Sequence, residues 1–185
     1  MNIVAISGSL RKDSFNTALL RAMQSLAPGG MDIQIADIGG LPLYSQDAEA
    51  SFPPAAQKLK EAIEAADGII IATPEYNRSV PGVLKNAIDW ASRPWGKNSF
   101  AGKPLMTAGV SVGKIGTAVA QSHLRQIMSY LDAQVIGQPE LYLGPAQGIF
   151  DADGTITDES TKDLLAKALE TLKNRAHSTV RRSAA

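Results

Sequence analysis

A chain of 185 residues with 44% hydrophobic content has material for one domain with a continuous core. Its 18 basic residues balance 18 acidic ones, so there is no global field of the kind that gathers nucleic acid or holds a protein on an anionic membrane, and a charged ligand has to be gripped locally. The absence of cysteine excludes disulfides, thiolate metal sites and a cysteine nucleophile. The longest apolar runs, Ile3 to Ile6 and Ile69 to Ala72, are of strand length, and the first residues lack a basic segment followed by a long apolar stretch, so a soluble, cytoplasmic protein without membrane insertion is expected.

In chain order, short β-branched runs alternate with longer helical patterns. Asn2 to Ser7 reads as a strand, Phe15 to Leu26 as a helix followed by Gly29-Gly30, and Met31 to Ala36 as the second strand. Pro54 to Ala66 is helical, Gly68 to Thr73 is the third strand, and Pro81 stands at a favourable first position of a helix reaching Ser92. Pro104 to Val110 is the fourth strand, Thr117 to Leu131 a helix, and Gln134 to Ile136 the fifth strand, extendable to Leu143.

A last helix, Glu159 to Arg175, carries acids at its start, bases near its end and a buried stripe of Leu165, Leu169 and Leu172. Residues 1–177 are thus expected to form one domain and 178–185 a frayed tail, in which Arg181-Arg182 are too few to make a nucleic-acid arm. Asp151, Asp153 and Gly154 superficially match a calcium loop, but Ile156 and Lys162 stand where glycine and glutamate are required, and a simple Asp-Gly turn is expected. No metal is implied.

Five strands alternating with five helices is the count of a doubly wound, flavodoxin-like sandwich, whose ligands bind beyond the carboxyl ends of the strands. The loops after strands one, three and four therefore carry the chemistry. The first, Ser7 to Thr17, leads into a helix N-terminus, where unpaired N–H groups suit a phosphate. It adds the hydroxyls of Ser9, Ser14 and Thr17, the amide of Asn16 and the fork of Arg11. It has neither the Gly-Lys-Ser/Thr of a nucleoside triphosphate loop nor a dinucleotide fingerprint. An ordinary turn with Ser14 or Asn16 as cap uses the same residue types, so that reading stays open.

The second loop, Thr73 to Gly82, has two prolines that stiffen it for presenting N–H and C=O groups to a planar ligand; a Pro-bounded turn is the plainer alternative. Gly109 to Gly116 allows close approach of backbone to a flat ligand, and also spells G-x-S-x-G around Ser111. A serine hydrolase would need a histidine from His123 or His177; the first is expected on a helix surface and the second in the tail.

Gly8-Ser9-Leu10-Arg11 with Ser14 and Asn16, Pro74-Glu75-Tyr76-Asn77, Ser79, Pro81-Gly82 and Leu84 to Trp90 together resemble the NADPH-dependent FMN reductase family, and within it bacterial chromate and quinone reductases. The resemblance implies a flavodoxin-like three-layer sandwich with strand order 2-1-3-4-5, bound FMN, NADPH or NADH as electron donor, and two-electron transfer in alternating turns to quinones, free flavin, azo compounds or chromate. It further implies that Ser9, Arg11, Ser14, Asn16 and Thr17 hold the FMN phosphate, with Phe15 beside them. Pro74, Glu75, Tyr76, Asn77 and Ser79 would line the isoalloxazine, and Ser111 with Gly113 would close its pyrimidine side. No side chain need act as acid or base. A homodimer or homotetramer using Tyr44, Trp90 and Trp95 is implied as well. Where relatives carry paired glycines, this chain has Gly116-Thr117. The main rival is a non-enzymatic electron carrier like flavodoxin, against which the neutral charge counts because such carriers are usually acidic.

Overall fold

A computed structural model describes residues 1–183. Five helices surround six strands: β1 (Asn2–Ser7), α1 (Phe15–Ser25), β2 (Asp32–Ala36), α2 (Pro54–Ala65), β3 (Gly68–Ala72), α3 (Gly82–Ala91), β4 (Pro104–Val110), α4 (Ala118–Tyr130), β5 (Gln134–Val135), β6 (Leu141–Leu143) and α5 (Glu159–Ser183). All pairings are parallel, in the order β2-β1-β3-β4-β5, with β6 also on β4. This is the flavodoxin-like arrangement. The expected fifth strand is split: Val135 pairs with Leu105, and the chain returns to the edge of β4 only where Leu141 meets Ala108.

The period-two alternation of the strands sorts the core into two layers. Ile3, Ala5, Ile70 and Met106 face one side, where Leu19, Leu20 and Met23 of α1 and Leu165, Leu169 and Leu172 of α5 cover them. Val4, Ile6, Ile69, Ile71 and Leu105 face the other, under Leu59 and Ile63 of α2, Leu84 and Ile88 of α3 and Leu124 and Met128 of α4. Every residue of β3 is buried, as a central parallel strand covered on both faces requires. Helix α5 continues past His177 to Ser183, so the stretch expected to fray from Ser178 is helical as far as it is described, and residues 184–185 lie outside the described part. Asp151 Oδ1 accepts from the N–H groups of Asp153 and Thr155, and Gly154 takes φ 79°, so the segment that mimics a calcium loop is an Asp-closed turn. No described helix is long and apolar enough to cross a membrane.

The order of strands places the ends of β1, β3 and β4 side by side, with the reversal of winding between β1 and β3. The loops read as chemically interesting are therefore neighbours. At the far end of the chain, Asp158 accepts from the Thr161 N–H and from the hydroxyls of Ser160 and Thr161 ahead of α5, and these bonds hold its carboxyl below the usual pKa. A depressed folded-state pKa contributes stability at neutral pH that is lost as pH falls through that value. Asp158→Asn is expected to be less stable than wild type at pH 7 and to lose less on acidification below pH ~4, read from urea midpoints across pH.

Candidate cofactor site

Loop one begins where β1 ends. Ser14 caps α1, its hydroxyl accepting from the Thr17 N–H at 3.4 Å, and the Ser9 hydroxyl accepts from the Arg11 N–H at 3.3 Å. Thr17 and Ser7 share a hydroxyl hydrogen bond of 2.8 Å that fastens the helix to the strand end. The N–H groups of Phe15 and Asn16, ahead of the capped Thr17 N–H, have no partner inside the helix, as at any helix start. The exposed Arg11 guanidinium lies 5.5 Å from the Phe15 ring centroid, and Phe15 leans on Phe150 at 5.7 Å. Among the described residues Arg11 makes no ion pair. A cation without an ion pair, lying over the Phe15 ring beside a helix N-terminus, suits a phosphate monoester. Phe150 gave no sign of this role in the sequence, because it enters from a turn far along the chain.

Asn16 has a different duty from the one its loop suggests. Its side chain is buried, and its amide donates to the Val110 carbonyl (3.1 Å) while its carbonyl accepts from the Val110 N–H (3.0 Å). The side chain thus welds α1 to the end of β4, and what Asn16 offers an anion is its backbone N–H.

The loop after β3 is equally tied down. The backbones of Tyr76 and Ser79 exchange two hydrogen bonds of 3.0 Å around Asn77 (φ 51°) and Arg78 (φ 61°), a tight turn of the kind with both central residues left-handed. Tyr76 is half exposed at its tip. The Glu75 side chain, instead of facing a ligand, accepts at one oxygen from the N–H groups of Val119 and Ala120, both at 3.1 Å, and pairs at the other with Arg78 at 3.0 Å. It is the N-terminal cap of α4, whose own cap residue, Thr117, supplies no side-chain bond. Ser79 adds a second tie, a 3.0 Å hydrogen bond to His123 Nδ1. His123 is exposed as expected, yet it is held to this turn.

The loop after β4 is shaped by close approach. Gly116 has φ 59°, and a side chain there would collide with the backbone of Tyr142 and Leu143; one at Gly109 would strike Thr117 and the Thr73 carbonyl. Thr117 keeps φ 64°, so the departure from paired glycines preserves the left-handed backbone with a β-branched residue, whose buried hydroxyl accepts from Gln121. The Ser111 hydroxyl donates to the Gly113 carbonyl at 2.8 Å, and with His123 engaged by Ser79 and His177 on α5, no histidine serves a nucleophile there. Gly113 itself has open space where a side chain would stand. Leu10, Tyr76, Val112 and Ile115 expose apolar surface from the three loops on one rim, which suits a flat ring.

The Leu84 to Trp90 segment also shows its purpose. Asn86 accepts from the Tyr44 N–H and donates to the Pro42 carbonyl, and Trp90 donates to the same carbonyl, so α3 clamps the loop after β2. Their i, i+4 spacing was the available signal. Trp90 is fully buried, between Tyr44 and Phe52, so it is not available to a partner subunit as expected; Trp95 remains 78% exposed.

This geometry accords with what the chain is similar to. The family model described as NADPH-dependent FMN reductase matches residues 1–148. The chain belongs to that family. A 2-hydroxy-1,4-benzoquinone reductase of a Burkholderia species is 53% identical over 165 residues, covering 89% of this chain and 90% of that protein. An NAD(P)H-dependent FMN reductase of Pseudomonas aeruginosa is 48% identical, covering 94% of each. Among solved structures, the flavoenzyme FerB, an NAD(P)H:(acceptor) oxidoreductase from Paracoccus denitrificans, superposes with a TM-score of 0.90 at 39% identity, over 96% of this chain and 98% of that one. For this family member the residues present fit FMN: a helix start with an unpaired arginine for the phosphate, and two immobilised loops with open glycine backbone for the ring.

Asn16→Ala would strip both partners from a buried backbone N–H and C=O. It is expected to cost about 2–4 kcal/mol in urea unfolding, whereas the exposed Arg11→Ala should stay within about 0.5 kcal/mol of wild type. Gly109→Ala is expected to destabilise by roughly 1–3 kcal/mol, through overpacking against Thr73 and Thr117, seen as a lowered Tm.

Proposed function

We propose that the protein is an FMN-bound NAD(P)H oxidoreductase that delivers two electrons to a quinone or a comparable small acceptor, free flavin, azo compounds and chromate being further candidates. The observation that carries this reading is the convergence of the Arg11 and Ser14 helix start with two rigid loops at the point where the sheet reverses its winding. The quinone reductase relatives support the acceptor class. FMN, when bound, supplies a carrier that takes hydride from the nicotinamide and passes electrons onward.

The chain's own work is to bind and orient. Arg11, the Ser9 and Ser14 hydroxyls and the N–H groups at the start of α1 neutralise the phosphate. Pro74, Tyr76 and Asn77 on one side, and Ser111 with Gly113 on the other, would hold the ring, with backbone groups of a fixed loop as donors and acceptors. Fixed donors cost nothing to reorganise as charge gathers on the pyrimidine side. The exposed apolar tips would give donor and acceptor one shared place to bind in turn, the pattern of a ping-pong cycle. No side chain in the rim is required as an acid or base. A homodimer or homotetramer in the cytoplasm, with the exposed Trp95 available to a partner surface and Tyr44 half-buried against Trp90, completes the proposal.

Arg11→Ala is expected to retain its fold and weaken FMN affinity about 10- to 100-fold, as a lost charged hydrogen-bonding fork should. Fluorescence titration with FMN checks this, and an unchanged affinity would displace the phosphate from this loop. The purified protein should be yellow and oxidise NADPH or NADH when a quinone is present. Turnover by the protein alone separates the enzyme from a passive electron carrier.

A further inference from the structure

Arg78 occupies a position that the backbone reserves for another residue. The turn Tyr76 to Ser79 is closed by paired backbone hydrogen bonds, and both central residues are left-handed, at φ 51° and 61°. Asn-Gly is the dipeptide such a turn favours; Asn77 fits, but an arginine at the second site carries a conformational cost that glycine would not. A side chain kept at such a position has a use outside the turn.

Neutralising Glu75 is not a sufficient use. That carboxylate already receives two N–H groups at the positive end of α4, and its side chain is only 10% exposed. The Arg78 side chain is 66% exposed, spends Nη1 on Glu75, and has no further partner among the described residues. Glu75 therefore holds one nitrogen of an exposed guanidinium, whose other N–H groups have no partner among the described residues. The turn itself cannot drift, because Ser79 is bonded to His123. Next to Arg78, half-exposed Tyr76 offers a flat apolar surface on the same rim.

We infer that Arg78 binds the 2′-phosphate of the dinucleotide donor and is the residue by which the enzyme favours NADPH over NADH. The inference rests on the proposed flavin site, since it requires the donor to lie across this rim. A planar fork held by one carboxylate matches a phosphate monoester dianion better than the singly charged groups of a pyrophosphate, and a ligand lacking that phosphate loses this contact alone.

Arg78→Gly provides the test, because glycine suits the left-handed turn position while the cation and its ion pair with Glu75 are removed. In the FMN-loaded protein, the ratio of kcat/KM for NADPH to that for NADH should fall about 10- to 100-fold, while FMN content and Tm hold. Arg78→Lys, a charge without a fork, should fall between. Calorimetric titration with adenosine 2′,5′-bisphosphate should show weaker binding to Arg78→Gly than to wild type by a similar factor, independently of turnover. An unmoved ratio and unmoved bisphosphate affinity would overturn the assignment. A parallel loss with both donors, accompanied by a lowered Tm, would overturn it too, reducing Arg78 to a counterion for Glu75. A wild-type protein that binds no FMN would instead remove the underlying flavin site.

Discussion

Two hydrogen bonds between the Asn16 side chain and the backbone of Val110, 94 residues away, one donated in each direction, decide where the start of α1 stands relative to the end of β4. The sheet order makes the loops neighbours; this bond and the Glu75 cap on α4 make them a fixed set. In both cases a polar side chain satisfies backbone groups of another segment, so the tie is directional and its failure leaves buried donors and acceptors unpaired. A rigid multi-loop cradle follows from such bonds more than from apolar packing, which fixes the helices and leaves the rim free. The apolar layers beneath supply most of the folding energy, and these few polar ties define the shape above them.

The core was legible because the unbroken apolar runs of β1 and β3 are direct consequences of parallel strands being sandwiched between helices. Helix ends were legible to within a residue at Phe15 and Pro54, where caps and proline act locally. The failures share a cause. Asn16 and Glu75 look like ligand groups because capping, cross-linking and anion binding draw on the same side chains, and only the partner's position separates them. Trp90 looks like an interface aromatic until Pro42 and Phe52 are seen to enclose it. The division of the fifth strand could not be read because its pairing belongs to β4.

The neutral charge and the exposed apolar tips at the rim belong together. A protein that docks on large redox partners gains from a strong field, whereas one that admits small planar molecules in succession needs a flat, open, weakly polar mouth with charge confined to a few points. Arg11, Arg78 and the helix starts are such points, each anchored by a ring, a carboxylate or a capping bond. Ser111 shows how far a local motif can mislead: the G-x-S-x-G spacing serves backbone packing here, with the hydroxyl turned into its own loop.

Thr117 holds a left-handed backbone that its branched Cβ resists, with Gly109 close against its side chain and the edge of β6 close against the neighbouring Gly116. The shape of that turn is therefore a property of its surroundings and not of its eight or so letters. Residues 109–118 grafted alone onto another scaffold would relax into a different curve, so transplanting this cofactor mouth means carrying the β6 edge and Gln121 along with it.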